Sequence, residues 1–557
     1  MNAVQAEVGS TAEEGGKEAR KLALQAVSRV AVEPALRVTY RSQGRLLLIG
    51  KAAAALDACA VLKPRLRCFV LAWGEGISRV EGDIPILFIG QGVKLEAAGY
   101  MGEFKITLCS QEHTEVNLAR LFEADFNHFD LILDLGTPAL LNWEIAPPGY
   151  YAPRDEQDLQ RALAELPGLV GEFEKARFVH YDPAICAHGG SGLQGCRRCL
   201  DVCPAGAIRS LVDKIAVDPY LCQGAGACAT ACPSGALIYH YPKPAATLER
   251  LRRLLRAYRQ AGGRDAVLLF HDAEAGAARL AVVEECLPDN WIPLAVEELG
   301  GIGMDIWLAA LAYGAGRVLL LATTSVPPGV LGELKTQLRF ARALLEGMAY
   351  PATVLRLVDG VADDASLLQD LVRGPGMPPI EPADFAGGNA KRDTLYAAID
   401  HLVSQASRLT PVIALPARAP FGEIQLDRDA CTLCMACVSV CPASALFAGV
   451  DTPKLELLEA ACVQCGLCEQ ACPERAISLY PRFLFDSQQR HQRRLLHEEA
   501  AFHCVVCGNP FATRRLIDKI TGRLQGHSMF QDAAARRRLQ MCGDCRVRDL
   551  FGQGLKP

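Results

Sequence analysis

Short apolar runs that predict buried strands alternate with helical stretches in two parts of the chain. In the first part, strands are predicted at 45–50, 68–72, 85–89, 103–108 and 130–135, with an alanine-rich helix over 51–59. In the second part, strands are predicted at 266–270, 317–322 and 353–358, and helices at 303–313 and 330–347. Because strands that alternate with helices form βα units, this pattern predicts two small α/β segments.

The segments between these patterns are polar or rich in turn residues. Residues 1–35 predict a polar, helical leader, and residues 146–153 (APPGYYAP) predict a rigid connection. The clearest linker is GPGMPPIEPADFAGG at 374–388, followed by a predicted helix at 391–408.

One apolar stretch, 299–330, has the composition of a membrane span but not its continuity. Its only charges are Asp305 and Arg317, and a Gly-Ala-Gly turn interrupts it at the centre. The run VLLLATTS that follows the turn predicts a buried parallel strand, so we expect no membrane span.

Composition and charge fit a globular protein of several domains. Half of the 557 residues are hydrophobic and 22% are charged, which excludes a mainly disordered or fibrous chain. The net charge of -5 gives no whole-chain reason to expect nucleic acid or an anionic membrane as a partner.

The cysteines change this picture, because 19 of the 23 lie in three short stretches. No secretory signal and no twin-arginine start is visible, so we expect a cytoplasmic protein whose cysteines remain thiols. Metal ligation is then favoured over disulfides. Cys59, Cys68, Cys109 and Cys286 have no partner at ligand spacing, and we expect them to be small buried hydrophobes.

The second cysteine stretch repeats one motif, Cys-x2-Cys-x2-Cys-x3-Cys-Pro, at an offset of 31 residues. This spacing resembles that of bacterial two-cluster ferredoxins, in which the fourth cysteine of each run ligates the other cluster. That rule implies two [4Fe-4S] clusters with these ligand sets: Cys431, Cys434, Cys437 and Cys472 for one, and Cys462, Cys465, Cys468 and Cys441 for the other. Two zinc knuckles are disfavoured, because zinc needs only four ligands in total.

The first cysteine stretch is a degenerate copy with an offset of 29 residues. Leu193 and Ala225 stand where cysteines would be expected, and the upstream Cys186 can replace the first of them through a glycine-rich loop. One [4Fe-4S] site is then formed by Cys186, Cys196, Cys199 and Cys232, which leaves the second site with Cys203, Cys222 and Cys228. The absence of the second cysteine resembles the three-iron site of seven-iron ferredoxins. This site could therefore hold a [3Fe-4S] cluster, a [4Fe-4S] cluster with another ligand, or nothing. We expect an occupied site.

The roles of two other features, a histidine and a glycine run, are left open by the sequence. His188, inside the Cys186–Cys196 loop, is either a contact of the cluster loop or a surface histidine. The run Gly300-Gly301-Ile302-Gly303 either approaches a phosphate or forms a simple turn before a helix.

The third cysteine stretch consists of two Cys-x2-Cys pairs, Cys504 with Cys507 and Cys542 with Cys545. With two thiolates from each pair and no following proline, it predicts one structural zinc site of zinc-ribbon type, with a further iron–sulfur cluster as the alternative. Residues 481–557 carry a net charge of +7, against -12 for the rest of the chain. This basic tail favours a solvated face or a docking patch for an acidic partner over nucleic acid, because no aromatics interleave with the arginines.

The motifs together resemble known families. The first and second stretches resemble the bacterial-type 4Fe-4S dicluster ferredoxins, and residues 265–360 faintly resemble the delta subunit of methyl-viologen-reducing hydrogenase, without its metal-binding cysteines. The motifs CTLCMACVSVCP and MCGDCRVRD resemble those of large 4Fe-4S binding proteins associated with formate dehydrogenase. This resemblance implies a redox partner of formate dehydrogenase type or a related molybdenum enzyme.

The sequence therefore predicts an iron–sulfur protein that relays electrons between redox partners, with at least three [4Fe-4S] clusters and zinc. We expect an electron-transfer subunit or accessory protein rather than an independent enzyme. One alternative is a flavin- or NAD-linked oxidoreductase that uses the clusters as internal wiring, although the turn at Gly50 lacks the dinucleotide glycines. A second alternative is a redox-sensing regulator that binds nucleic acid.

The predicted fold class is α/β plus α+β, with two small α/β segments interleaved with two ferredoxin-like dicluster modules and a zinc-ribbon-like tail. The predicted domains are an α/β domain with its leader (1–150), a degenerate dicluster module (175–245), an α/β segment (246–373), a linker and helix (374–420), an intact dicluster module (421–482) and a basic tail (483–557).

Overall fold

The computed structural model describes residues 16–26, 36–74, 78–80, 83–90, 93–109, 115–449 and 452–551. All eight strands predicted in the two α/β segments are present, with ends within two residues of the expected positions. Residues 16–26 of the predicted leader form a helix, and the rest of the leader prediction lies mostly outside the described residues.

A six-stranded sheet forms the first α/β unit. Its strand Arg45–Gly50 is buried at every position, as expected for the centre of a parallel sheet. The strands follow the spatial order Tyr150–Tyr151, Leu131–Asp134, Arg45–Gly50, Arg67–Trp73, Ile86–Ile89 and Ser78–Val80, of which only the last is antiparallel to its neighbour. Its helices are Ala52–Leu62, Leu118–Leu121 and Glu156–Glu165, and a second, antiparallel sheet is formed by Lys94–Ala98, Lys105–Cys109 and Glu115–Asn117.

The second α/β unit is a four-stranded, fully parallel sheet. Its spatial order is Trp291–Val296, Val267–Asp272, Arg317–Ala322 and Leu355–Asp359. The strand at 291–296 was not predicted. It contains Pro293, and the structure places it at the sheet edge, where a missing N–H is tolerated. The helices around this sheet are Pro244–Gln260, Ala275–Val283, Met304–Ala312, Pro328–Gly347 and Asp364–Val372.

The apolar stretch 299–330 belongs to the core of this unit. It divides into the helix Met304–Ala312, which is buried at all nine positions, a turn at Gly314 and the strand Arg317–Ala322. Among the residues that the structure describes, no helix has the length and apolar character needed to cross a bilayer.

Two small α+β modules carry the first and second cysteine stretches. The first cysteine-rich module (179–239) pairs Val179–Tyr181 with Leu237–Tyr239 and encloses a hairpin and two short helices. The second cysteine-rich module (422–484) repeats this plan with Gly422–Leu426 paired to Ile477–Leu484. The inner elements are Ile208–Ser210, Ile215–Val217, Arg198–Asp201 and Ala227–Ala231 in the first module, and Leu446–Ala448, Lys454–Leu458, Ala436–Ser439 and Leu467–Ala471 in the second.

The segment between the modules is extended but not loose. Residues 374–388 contain no helix or strand, yet the N–H groups of Met377 and Ala383 donate to carbonyls of the second α/β unit. The helix that follows, Lys391–Ser404, ends four residues earlier than expected and packs its buried side chains against the helix Met304–Ala312.

Three further strand pairs lie outside these sheets, and short strands and helices follow the second module toward the C-terminus. Arg37–Ser42 pairs with Gly171–Ala176, Val412–Ala414 with the second module's last strand, and Arg493–Glu498 with its hairpin. The C-terminal region consists of Ser487–Arg490, the pair Ala501–His503 and Pro510–Thr513, and the helices Arg514–Leu524, Ala533–Arg538 and Gly543–Phe551.

Candidate metal centres

Two enclosed cavities in the second module are each lined by four thiols. Site C is lined by Cys441, Cys462, Cys465 and Cys468. Site D is lined by Cys431, Cys434, Cys437 and Cys472. Each set takes three cysteines from one motif and the fourth from the other, which is the grouping that the ferredoxin resemblance implies. Leucine and isoleucine side chains form much of the remaining walls, together with Gln464 at site C and Thr432 and Glu474 at site D.

The loops of sites C and D hold backbone N–H groups against the sulfurs. Leu433 and Met435 in one loop, and Gln464 and Gly466 in the other, adopt positive φ, a conformation that non-glycine residues rarely adopt. This geometry allows the N–H of Leu433 to donate to the Cys431 sulfur. Strained loops of this kind persist where a function needs them, and inward N–H groups offset the negative charge of thiolates.

The Cys-Pro-x-x-Ala pattern supplies a further donor at three of the four proline-linked cysteines. The backbone N–H groups of Ala207, Ala445 and Ala476 each lie 3.3 Å from the sulfur of the cysteine four residues earlier. At Cys232 the corresponding donor is the N–H of Leu237, at 3.5 Å. The repeated pattern therefore encodes a repeated N–H···S bond.

Burial makes these thiols poor acids on their own. It raises the pKa of Cys465 to about 11 and that of Cys437 to about 12. Thiols whose pKa is raised by burial ionise readily only beside a cation, which is the chemistry that iron ligation supplies. The donor set in sites C and D thus fits a cubane iron–sulfur cluster.

Site B, in the first module, contains Cys186, Cys196, Cys199 and Cys232. The other three thiols are the charged neighbours that raise the pKa of Cys199 after burial itself. His188 is buried rather than at the surface: Nδ1 lies 2.8 Å from the Cys196 carbonyl oxygen and Nε2 lies 2.7 Å from the Ser210 hydroxyl. This histidine fixes the loop that delivers Cys186.

Site A, the second set of the first module, contains Cys203, Cys222 and Cys228. Gly224 and Gly226 adopt φ values of +83° and +76°, at the same two loop positions as the positive-φ residues of sites C and D. The loop therefore keeps the conformation that surrounds a cluster, and Ala225 removes only one sulfur from it. Burial first, and then the neighbouring Cys222 and Cys203, raise the pKa of Cys228 well above its usual value.

The Gly300-Gly301 pair packs directly against the loop of site A. A side chain on Gly300 would place its Cβ 2.1 Å from the Ala225 carbonyl oxygen, and one on Gly226 would place its Cβ 2.3 Å from the Gly301 nitrogen. Thr230 adds a hydroxyl donor, 2.6 Å from the Gly300 carbonyl oxygen. Of the two alternatives for this glycine run, the structure shows a turn, and close backbone contact explains its composition.

Sites A to D form a continuous row. Cys199 of site B is close enough to Cys228 of site A to contribute to the raised pKa of Cys228. In the same way, Cys437 of site D contributes to the raised pKa of Cys468 of site C. The junction between the modules connects site B to site C, because Cys196 contributes to the raised pKa of Cys465.

Direct contacts support this junction. A Cβ on Gly195 would lie 2.7 Å from Cγ of Leu467 and 3.2 Å from the Cys465 carbonyl oxygen. The Gln470 side chain donates to the Gln194 carbonyl oxygen at 2.8 Å. The cluster loops of the two modules therefore face each other.

Lys391 and Arg392, at the start of one helix, hold both modules. The Lys391 ammonium donates to three carbonyls of the first module, at Ala229, Thr230 and Cys232. The Arg392 guanidinium donates to Pro233 in the first module and to Ala460 and Cys462 in the second. Neither residue carries a sequence motif, so the spacing of the cysteines could not reveal this role.

The C-terminal cysteines Cys504, Cys507, Cys542 and Cys545 form a separate four-sulfur cluster. Their sulfurs all lie within 4.8 Å of one another, and those of Cys507 and Cys542 are 3.7 Å apart. Burial opposes ionisation of Cys504, but N–H donors of Cys507, Cys542 and Val506 outweigh it and lower the pKa to about 6. Four sulfurs in this arrangement suit one tetrahedral metal ion.

This cluster is docked beside site D. The Thr513 hydroxyl donates to the Thr432 carbonyl oxygen at 3.2 Å, and Lys519 and Arg523 both pair with Glu474. Part of the basic charge of the tail is therefore used in contacts within the chain.

Of the four cysteines expected to be buried, only two are. Cys59 and Cys68 lie in the core of the first α/β unit, whereas Cys109 is half-buried and Cys286 is exposed. The prediction was wrong for the last two, because Cys109 lies at the end of a strand of the small antiparallel sheet and Cys286 lies in a short 3-10 turn at the surface.

The class of protein follows from this geometry: a chain with paired cysteine sets in the arrangement of two-cluster ferredoxins. Comparison with known families agrees, since residues 194–236 and 430–477 each match the family of 4Fe-4S dicluster domains. The chain therefore contains two ferredoxin-type dicluster domains, which support iron–sulfur electron transfer. No curated protein matches the chain.

Proposed function

We propose that the chain is a four-site electron relay that runs through both dicluster domains in the order A, B, C, D. The observation that carries this proposal is the contact between the modules, where Gly195 packs against Leu467 and the Cys465 carbonyl, and Gln470 donates to the Gln194 carbonyl. Two separate ferredoxin domains on a flexible tether would not require that contact. A path across the junction makes one conductor of the two domains.

The residues divide the work in a simple way. Iron–sulfur clusters, when bound, supply one-electron carriers. The cysteines of sites B, C and D hold [4Fe-4S] clusters, and the three of site A hold a [3Fe-4S] cluster or a [4Fe-4S] cluster with a further, non-cysteine ligand. The N–H···S bonds and apolar walls set the potentials, and the C-terminal cysteines hold zinc, which locks the tail against site D.

The partners are proposed from the resemblance and from the fold. A redox protein would exchange electrons with one end of the row, and the resemblance to large 4Fe-4S binding proteins favours a formate dehydrogenase or a related molybdenum enzyme. The α/β units, including the hydrogenase-delta-like segment, would serve as scaffolds and docking surfaces. We also propose a cytoplasmic location and a division into the domains 1–150, 175–245, 246–373, 374–420, 421–482 and 483–557.

The test is anaerobic purification followed by analysis of iron, sulfide and zinc together with EPR. We expect about 15–16 iron atoms and one zinc per chain, from four cluster sites and one zinc site. The substitution Ala225→Cys should restore the missing ligand, so that a three-iron EPR signal in the oxidised protein disappears while the other sites are unchanged. Colourless protein that contains only zinc would refute the proposal.

A further inference from the structure

A cavity of about 390 Å³ lies between the first module and the second α/β unit. It is formed at the carboxyl ends of the strands Val267–Asp272 and Trp291–Val296, the edge of a parallel sheet where ligands usually bind. The helix that joins Cys228 to Cys232 closes the other side through Ala229 and Thr230. Its volume lies within the range of small-molecule sites.

Two polar groups in the wall have no partner. Within the described ranges, Arg250 makes no hydrogen bond or ion pair, its Nε is fully buried, and burial alone lowers its pKa. The hydroxyl of Tyr239, a residue that is 5% exposed, also lacks a hydrogen-bond partner. Buried polar groups are normally paired, so this guanidinium and this hydroxyl indicate a ligand that would pair with them.

Other features of the cavity also favour a negatively charged group near Arg250. The helices Pro244–Gln260 and Met304–Ala312 both begin at the wall, at Pro244 and Gly303, and their N-termini carry partial positive charge. Three acidic residues, Glu297, Glu298 and Asp305, also line the wall, and their negative charge would oppose binding of an anion. This opposition is weakened at Glu298. Burial, followed by Asp272 and two nearby glutamates, raises the pKa of Glu298 to about 7.

Most of the remaining wall is apolar and partly aromatic, and the second cation in it, Lys391, already donates to carbonyls of the first module. Phe270, Tyr241 and Leu294 offer faces for a flat ring, and Leu237 and Ile306 continue the surface. An apolar wall with one cationic end is suited to a molecule with an aromatic body and one anionic group.

We propose that this cavity binds a planar organic anion, with the anionic group on Arg250 and the ring system against Phe270 and Leu294. The ligand would lie against the helix Ala227–Ala231, which carries Cys228 of site A. Binding itself does not depend on the relay: it is measured directly, so its failure and a failure of electron transfer are separate results.

The test is anaerobic equilibrium dialysis of the full-length, iron-loaded protein with two probes that differ only in charge. 1-Anilinonaphthalene-8-sulfonate is an aromatic anion, and N-phenyl-1-naphthylamine is the same ring system without the sulfonate. We expect one site per chain for the sulfonate. Arg250→Gln should weaken its binding about tenfold to a hundredfold and leave the uncharged probe unchanged.

Three further variants make the test specific. Arg253→Gln, on the same helix but paired with Glu249 in solvent, should bind both probes normally. Arg250→Lys should keep part of the affinity for the sulfonate, and Thr247→Trp, which fills the cavity, should abolish binding of both probes. Unchanged iron content verifies that each variant is folded. The proposal would be overturned if the sulfonate did not bind, or bound without a stoichiometry of one per chain. It would also be overturned if neither Arg250→Gln nor Thr247→Trp changed sulfonate binding.

Discussion

Replacing Arg392 with methionine should separate the two dicluster domains. Its guanidinium donates to the hydroxyl of Tyr396 and to carbonyls from both modules and the segment before the second, over distances of 2.5–3.2 Å. Methionine keeps the apolar stem but none of the donors. The carbonyls of Pro233 and Cys462 would then no longer share a partner across the junction.

The size of the effect follows from these bonds. A hydrogen bond to a charged group contributes about 1.5–3 kcal/mol, but bonds that share one cation are not additive. A total loss of about 3 kcal/mol is therefore reasonable, which corresponds to about a hundredfold increase in the fraction of molecules with separated modules. Sites B and C would lose their contact in those molecules.

The assay is EPR of the fully reduced protein, in which neighbouring paramagnetic clusters broaden and split each other's signals. Arg392→Met should weaken the splitting between sites B and C and slow electron transfer between the modules, with iron content unchanged. The matched control is Arg418→Met, because Arg418, just before the second module, pairs with Asp201 of the first module at 3.5 Å in solvent, where an ion pair contributes little. If Arg392→Met and the control give identical spectra and rates, Arg392 does not hold the two modules together at the junction.

Three other substitutions probe separate parts of the row. Gly300→Ala should weaken the packing of the glycine run against the loop of site A by about 1–3 kcal/mol, because its Cβ would lie 2.1 Å from a carbonyl oxygen. It should broaden or abolish the EPR signal of site A alone. Gly332→Ala, whose Cβ would meet nothing within 4 Å, is the control, and equal spectra for the two variants would refute the contact. Gln464→Met removes a 3.3 Å bond to a site C sulfur and should lower that cluster's potential by about 40 mV, from about 1 kcal/mol per neutral bond, in an EPR-monitored redox titration; a raised potential would contradict this. Cys507→Ser should eliminate the bound zinc in metal analysis but leave the iron content intact, whereas a loss of iron would show that these cysteines hold a cluster.

The sequence predicts local features well and long-range contacts poorly. Each cluster loop of the second module places three cysteines within seven residues, so its grouping depends on backbone geometry that the spacing itself encodes. The buried strands were equally visible, since a parallel strand is apolar on both faces. The strand at 291–296, which was missed, contains Pro293; a proline is tolerated at a sheet edge, and edge position is a property of the whole sheet.

The junction and the cavity lay beyond sequence reasoning for the same reason. Arg392 follows a linker and has no motif, and its partners are up to 159 residues away in the chain. Arg250 lies on an amphipathic helix among several other arginines, from which only the fold distinguishes it as unpaired and half-buried. What the glycine run near Gly300 does likewise depends on a loop more than 70 residues upstream.

The two ends of the row differ in a way that bears on the missing sulfur of site A. At site D the second cysteine of the loop, Cys434, is exposed, whereas Ala225, at the same position in site A, is 8% exposed and packs into the core of the second α/β unit. A protein partner can therefore approach site D at Cys434, whereas the α/β unit covers site A on the side of Ala225. A cysteine at 225 would have to be accommodated within that contact, so the loss of the ligand and the covering of the loop belong together. We expect electrons to pass to or from proteins at the site D end of the row, where Cys434 is exposed.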